Sequence, residues 1–475
     1  MVIDPGNYMK TLDLEYAEPE TYEMEAVPET APLPAFDRYL MLSSISALPF
    51  CYAGTLDIGF PLKFYEVVIF VIFLRHCLRL ALRRPAILSL LSEEKRVLAL
   101  ACSFLAVAIA ASFFGYFILD KFRAQIYIDT WRHDPSIAST LKCGYLFMDI
   151  FFLYFVLGNK SVPVEQICHW WFLGAVLAAL YGWYLFVFSV MGHDPILLPG
   201  QLKVQKGGPF LPDGIRGGTF NEGNHVSTYY IVSGVLGFAM FVRTWKIWYL
   251  LLSLVFFGSL AHTLSTSGFV AGMAFCFLTN VIVGFSERSR MIVAIPLLIF
   301  VIFAGIALVS TPLFQQVVVA KLATDSEDDP GGSREQRLDL VTAGFYMYEE
   351  YPVLGVGLSN FGYLYPYYTQ FGAETLGWDP AAEKNIPNNI YSEVTTETGT
   401  IGTLVFSAFC GYMVLLYRKG PRGITQQVML AGFLSLFVSW LAYPTFSILF
   451  QWVFFAVAVK IFLDRETMLP KIFDS

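Results

Sequence analysis

Charge is scarce in this chain. Asp, Glu, Lys and Arg supply 15% of its 475 residues, against 56% hydrophobic, where a soluble domain carries about 25% charged residues. That shortage excludes a soluble enzyme, a disordered scaffold and a fibrous protein. Cysteine pairing is lacking too. Cys51, Cys77, Cys102, Cys143, Cys168, Cys276 and Cys410 never reach C-x-x-C spacing, and each lies in an apolar run. They read as small buried hydrophobes, with neither a disulfide framework nor a zinc site. No cleavable signal peptide is visible, because the first apolar stretch begins near residue 39 behind an acidic, proline-dotted tail. The first membrane helix is expected to serve as the targeting signal.

The little charge present is sorted by region. The formal net charge is -7; residues 1–38 hold nine acids against two bases, and residues 311–389 hold eleven against four, so everything else is net positive by seven. A bilayer-crossing helix needs about 17–25 mostly apolar residues. About twelve runs qualify, near 39–56, 62–82, 97–119, 141–158, 167–191, 225–242, 247–264, 267–285, 291–310, 392–417, 427–444 and 446–463. Arg75, Arg79, Arg83, Arg84, Lys95, Arg96, Arg243, Lys246, Arg288, Arg290, Arg418, Lys419 and Arg422 then fall on one side, which is expected to be the cytoplasm, with both termini there. The expected organisation is an acidic disordered tail (1–38), nine spans (39–310), a large outer loop (311–389), and three spans with a short tail (390–475).

Segments 120–140, 192–224 and 311–389 are expected outside, and the last is too long to be a mere connection. Within it, the hydrated breaker DSEDDPGG (325–332) precedes Ser333-Arg334-Glu335-Gln336, where Ser333 and Gln336 hold capping-box positions. A helix is expected from there to about Glu350, since Pro352 cannot continue it. Arg334 and Arg337 share its first turn and one face, where two guanidiniums beside backbone donors suit an anion. The plainer alternative is two solvated arginines paired with Glu335 and Asp339. The turn PVLGVG (352–357) and an aromatic stretch, Phe361 to Phe371 with Tyr363, Tyr365, Tyr367 and Tyr368, come next. These tyrosines read either as an interfacial belt or as stacking surfaces for sugar rings, Tyr365 among them.

From Asn389 the chain runs nine residues to Gly399-Thr400-Ile401-Gly402-Thr403. This resembles the signature of the O-antigen ligase and polysaccharide polymerase (Wzy-type) family, in which a histidine and an amide or hydroxyl residue precede nine residues, a glycine, two residues and Gly-Thr. The family's histidine position is Asn388 here. The arginine-bearing helix followed by PVLGVG, the segment RGGTFNEGN (216–224), and TLSTSG (263–268) resemble further landmarks of that family in the same order. The resemblance covers roughly residues 170–445. It implies an all-α, GT-C-like polytopic bundle and a metal-independent glycosyltransferase. The implied partners are a polyprenyl-diphosphate-linked oligosaccharide donor, a glycan acceptor, membrane lipid, and flippase and chain-length-regulator proteins, with no cofactor and no nucleic acid.

The same resemblance places diphosphate-binding arginines at Arg216 and Arg337, with Arg334, Asn224, Asn389 and Tyr365 as further substrate contacts. It puts Asn388 where a base should stand, and asparagine takes no proton near neutral pH. Glu383, Glu393, Glu397, Glu222 and His225 are nearby candidates; Glu393 and Glu397, four apart near the outer end of the tenth span, are expected to serve, the alternative being interfacial residues bonded to a neighbouring helix. Polymerase is the reading carried forward. Its rivals are a ligase that moves finished polymer to a lipid or protein acceptor, a non-enzymatic partner recruited through the acidic tail, and a transporter or flippase. For the last, Glu66 and Asp149 would form a proton relay, against Glu66 near an interface and Asp149 bonded within the bundle.

Overall fold

Helices, most of them apolar, account for most of the described residues. The computed structural model describes residues 31–57, 61–122, 134–201, 205, 214–220, 222–283, 333–370, 385–443 and 445–464, with the side chains of 56, 57, 61 and 333–336 outside that description. Most of the acidic tail, the expected span at 291–310, the breaker at 325–332 and Glu383 therefore lie outside the described residues. Within them run α1 (Ala35–Ala47), α2 (Phe64–Ala81), α3 (Ser92–Phe122), α4 (Pro135–Gly158), α5 (Val164–Val190), α6 (Gly223–Thr244), α7 (Ile247–Thr263), α8 (Thr266–Val283), α9 (Ser333–Glu350), α10 (Phe361–Tyr368), α11 (Ile390–Lys419), α12 (Ile424–Ser439) and α13 (Leu449–Leu463). Strands β1 (Leu56–Asp57) and β2 (Pro61–Leu62) form a two-residue antiparallel ladder. Seven helices (α3, α4, α5, α6, α8, α11, and α12 with its 3-10 extension to Ala442) are long and apolar enough to cross a membrane, and α7 and α13 are shorter apolar helices. The chain is a polytopic membrane helix bundle.

Burial sorts these helices. The apolar stretch of α6 is buried throughout, enclosed by α5, α7, α8 and α12. Peripheral helices keep an exposed apolar stripe, as at Leu173, Leu177 and Leu180 of α5, whose spacing of four and three residues turns one face toward lipid.

The first expected span is crossed in an unexpected way. α1 has 13 residues, about 20 Å of helix, too short for a hydrocarbon core of about 30 Å. The segment nevertheless traverses the bundle. At one end Ala31 N–H donates to Ala86 O (3.1 Å), and at the other Tyr52 N–H donates to Thr219 O (3.2 Å) and Gly54 N–H to Pro199 O (2.6 Å). Beyond α1 the irregular backbone finds its partners in protein, the condition under which non-helical chain is tolerated at membrane depth.

The ends of the helices define two faces. On one, Arg243 pairs with Glu165 (2.6 Å) and Asp464 (2.7 Å), Lys419 pairs with Glu93 (3.0 Å), and Lys160 pairs with Glu94. Lys460 Nζ also donates to Asn159 O (2.7 Å). This is the basic face read from the sequence. The opposite face carries the described residues of the connection after α5 (192–201, 205, 214–220 and 222), the turn at 264–265, α9, α10 and the start of α11.

On that opposite face α11 is broken. Gly399 has φ 63° and ψ -164°, which ends one helix at Thr398 and begins another at Thr400. Two carbonyls and two N–H groups lose their helical partners, and the turn at 352–357 supplies replacements. Val356 N–H donates to Thr396 O (2.9 Å) and Gly357 N–H to Glu397 O (3.0 Å), while Thr400 N–H donates to Pro352 O (2.8 Å) and Ile401 N–H to Val353 O (3.3 Å). The threonines finish the joint, with Thr400 Oγ1 donating to Pro352 O (2.8 Å) and Thr403 Oγ1 to Gly399 O (2.8 Å). A Cβ on Gly399 would lie 2.4 Å from Val353 O, and one on Gly355 would lie 2.3 Å from Thr396 O. The glycines and threonines of both motifs thus build one backbone splice.

That splice anchors a small second core. α9 spans the helix expected between Ser333 and Glu350, and with α10 it packs Leu340, Ala343, Met347, Phe361, Leu364 and Tyr365 against the end of α3. Tyr365 is buried there, and its hydroxyl donates to Asp339 Oδ2 (2.5 Å). The substrate contact expected of Tyr365 is therefore replaced by a packing role. Glu66 pairs with Lys63 (2.8 Å) at the start of α2, as an end-of-helix residue. Asp149 differs from expectation: it makes no hydrogen bond among the described residues, and it lines a polar cavity of about 20 Å³ with Lys63, Glu66 and Tyr145, room for about one water.

Gly399→Ala is predicted to lower stability by about 1–3 kcal/mol, the usual size of local backbone strain. A matching fall in the thermal unfolding midpoint in detergent checks this, with Gly411→Ala, where an added Cβ meets nothing within 4 Å, as the unaffected control.

Candidate active site

Two polar clusters occupy the face opposite the basic one, and they differ in how fully their charges are matched. In the first, Glu393 and Glu397 lie four residues apart on the short N-terminal half of α11. Lys142 of α4 sits between them, its Nζ 2.7 Å from Glu393 Oε1 and 2.6 Å from Glu397 Oε2. Phe446 N–H donates to Glu393 Oε2 (2.9 Å) and Ser359 N–H to Glu397 Oε1 (2.9 Å). Every carboxylate oxygen is engaged, and both glutamates are buried. The expectation that one of them stands ready as a base is corrected: together with Lys142 they cross-link α4, α11, the turn before α10 and the connection after α12. Lys142 was missed in the sequence. Its signal was that of a lone base inside the fourth apolar run, where an ion needs a partner.

The residues before α11 divide similarly. Asn389 Oδ1 accepts from Ser392 N–H (2.6 Å) and caps α11, so the oxygen expected to contact substrate is committed to the helix. Asn388, half-buried beside it, carries no such bond among the described residues.

The second cluster is built on residues 214–225. Ser189 Oγ accepts from Ile215 N–H (2.9 Å) and Gln201 Nε2 donates to Gly218 O (2.6 Å), which fixes the segment on α5 and its outflow. Gln205 then ties the two ends together, its carbonyl accepting from Arg216 N–H (3.0 Å) and its Oε1 from Gly223 N–H (2.8 Å). Asn224 Oδ1 accepts from Ser265 Oγ (2.8 Å) and, more weakly, from Ser267 Oγ (3.4 Å). The two motifs at 216–224 and 263–268 thereby form one unit, and Asn224, expected to bind substrate, instead joins the start of α6 to the start of α8.

Arg216 belongs to this unit, and the charge of Arg337 on α9 acts on it. Arg216 is half-buried and its Nε finds no hydrogen-bond partner among the described residues. Its Cδ lies 3.5 Å from the point where a Cβ on Gly223 would stand. Burial holds the Arg216 guanidinium below its ordinary pKa, the Arg337 cation lowers it further, and Glu222 opposes both. Arg337 is lowered by its crowded surroundings and likewise supported by Glu222, although solvent reaches it. Asp339 is not its partner, since that carboxylate accepts from Tyr365, Thr369 and Gln370. Arg334 occupies the first turn of α9, with its side chain outside the description.

Beside Glu222, His225 is buried with neither ring nitrogen hydrogen-bonded among the described residues. Its Nε2 lies 3.7 Å from Glu222 Oε2, and its ring packs on Tyr443 at 4.9 Å between centroids. Glu222 therefore links this imidazole by contact, and the two guanidiniums by charge, into one candidate site. Its spare guanidinium donors suit a ligand with several phosphate oxygens.

Residues 248–407 match a family model described as O-Antigen ligase. The match takes in α7 to α11 with the splice and Arg337, and begins after Arg216 and Glu222. No curated protein matches the chain.

Lys142→Met is predicted to destabilise the fold by about 3–5 kcal/mol, the usual penalty for breaking a buried ion pair. Combining it with Glu393→Gln and Glu397→Gln should recover most of that loss, as read from unfolding midpoints in detergent.

Proposed function

We propose, from the match of residues 248–407 to the O-Antigen ligase family model, that the chain is a membrane glycan-processing enzyme that polymerises polyprenyl-diphosphate-linked oligosaccharide repeat units. The product is a surface polysaccharide (exopolysaccharide, capsule or O-antigen) made on the outer face of the bacterial inner membrane. What supports this reading is that Arg216 and Arg337, from segments far apart in sequence, are electrostatically coupled to each other and to Glu222. Outside the cytoplasm no nucleotide sugar is available, so the donor arrives already activated on a lipid and its leaving group is a diphosphate. As the glycosidic bond to that group breaks, the electron pair passes to the diphosphate oxygen. Guanidinium forks held in place neutralise the growing charge without reorganising, and the mechanism draws on no metal ion.

The basic face is taken as cytoplasmic by the positive-inside tendency, which puts both termini there and the arginine site outside. Membrane lipid surrounds the bundle, and a flippase and a chain-length regulator are the protein partners this reading calls for. Asn388 at the histidine position of the family favours chain extension. The description of the matching family favours a second reading, ligation of finished polymer to a lipid or protein acceptor.

Arg337→Ala is predicted to cut polymer formation at least about 10²-fold, the typical effect of removing one charge-stabilising donor, while single repeat units accumulate on lipid. Gel analysis of surface glycan and chromatography of lipid-linked saccharides read both effects, and unchanged polymer length and yield would sink the proposal. In a deletion strain, loss of long polymer supports polymerase, whereas intact but unattached polymer supports ligase.

A further inference from the structure

We propose that Glu222 is the catalytic base that removes the proton of the acceptor hydroxyl, with His225 holding it in place. This rests on the transferase reading and deepens it. Asn388 has no basic lone pair, and Glu393 and Glu397 have every oxygen engaged by Lys142 and backbone N–H groups. Glu222 directly precedes Gly223, where an added Cβ would lie 3.5 Å from Arg216 Cδ, and its charge supports both guanidiniums. Its side chain keeps 44% of its exposure, so an acceptor can reach it, and it is not consumed in capping α6. His225, buried with unbonded ring nitrogens, lies 3.7 Å away.

Glu222 already faces His225 across 3.7 Å, and the Nε2–H tautomer of that ring holds the carboxylate toward the acceptor; His225 is thus a positioning residue. A diphosphate, with more charge and more acceptor oxygens than one carboxylate, takes the guanidinium donors and leaves Glu222 to the acceptor. In the transfer step the acceptor O–H gives its proton to Glu222 and its oxygen bonds to the anomeric carbon. The bond from that carbon to the diphosphate oxygen breaks, and the electron pair leaves with the diphosphate between Arg216 and Arg337. The proton returns to solvent from the exposed carboxyl.

The test uses the full chain in lipid nanodiscs, undecaprenyl diphosphate as the binding probe, and lipid-linked units extracted from the deletion strain as donor. Glu222→Gln should slow single-turnover transfer by about 10²–10⁴-fold, the range for loss of a general base, while binding undecaprenyl diphosphate at least as tightly as the unaltered chain. Formate should restore part of the rate to Glu222→Ala. His225→Gln should slow transfer less and leave binding unchanged. Transfer by Glu222→Gln within about threefold of normal, below any general-base effect, overturns the proposal. So does loss of probe binding along with transfer, which would mark Glu222 as a binding or structural residue. If Arg216→Ala and Arg337→Ala both keep binding and transfer, the transferase reading of the site fails, and this proposal with it.

Discussion

A polypeptide in a bilayer has no water with which to satisfy a broken helix, and an unpaired backbone group there costs several kcal/mol. The break in α11 at Gly399 therefore exists only because the turn at 352–357 fills it, donor for acceptor on both sides. Much of the site depends on that exchange. It fixes where α9 ends and so how Arg337 is presented. It also brings the turn at Ser359 to Glu397, and it sets the short half of α11, with both glutamates, against Lys142. A motif that reads as catalytic by resemblance is, in large part, a joint.

The two charged clusters show why like residues take unlike roles. Around Lys142 there are two carboxylates and one ammonium, and backbone N–H groups supply what the lysine cannot, so the cluster is closed. Around Glu222 there are two guanidiniums and one carboxylate, and nothing among the described residues bonds Arg216 Nε or His225. Burial makes a matched cluster rigid and leaves an unmatched one poised for a ligand of the missing sign.

Much of this was legible beforehand. The apolar runs located the described helices because their length and hydropathy are local properties, and the extent of α9 followed from Ser333 and Pro352. The choice of Arg216 and Arg337 as a pair came from resemblance to a family. Other expectations failed where a role depends on an unseen neighbour. Tyr365 and Asn389 have polar atoms suited to substrate, but Asp339 and Ser392 N–H are closer. Glu393 and Glu397 have the right spacing for a base, yet that spacing cannot disclose a lysine some 250 residues earlier in the chain. The first apolar run, interrupted at Pro49, reads as a span near 39–56, whereas α1 ends after 13 residues and its continuation pairs with Pro199 O and Thr219 O.

By itself the sequence determined that this chain lives in a membrane, roughly where it crosses, which face is basic and which residue types could meet a diphosphate. Those properties follow from composition and period, which each segment carries alone. Only the tertiary structure decided which carboxylates are spent and which is free. Engagement is a property of pairs, set by backbone breaks and side chains that meet across hundreds of residues, and no stretch of sequence contains both members.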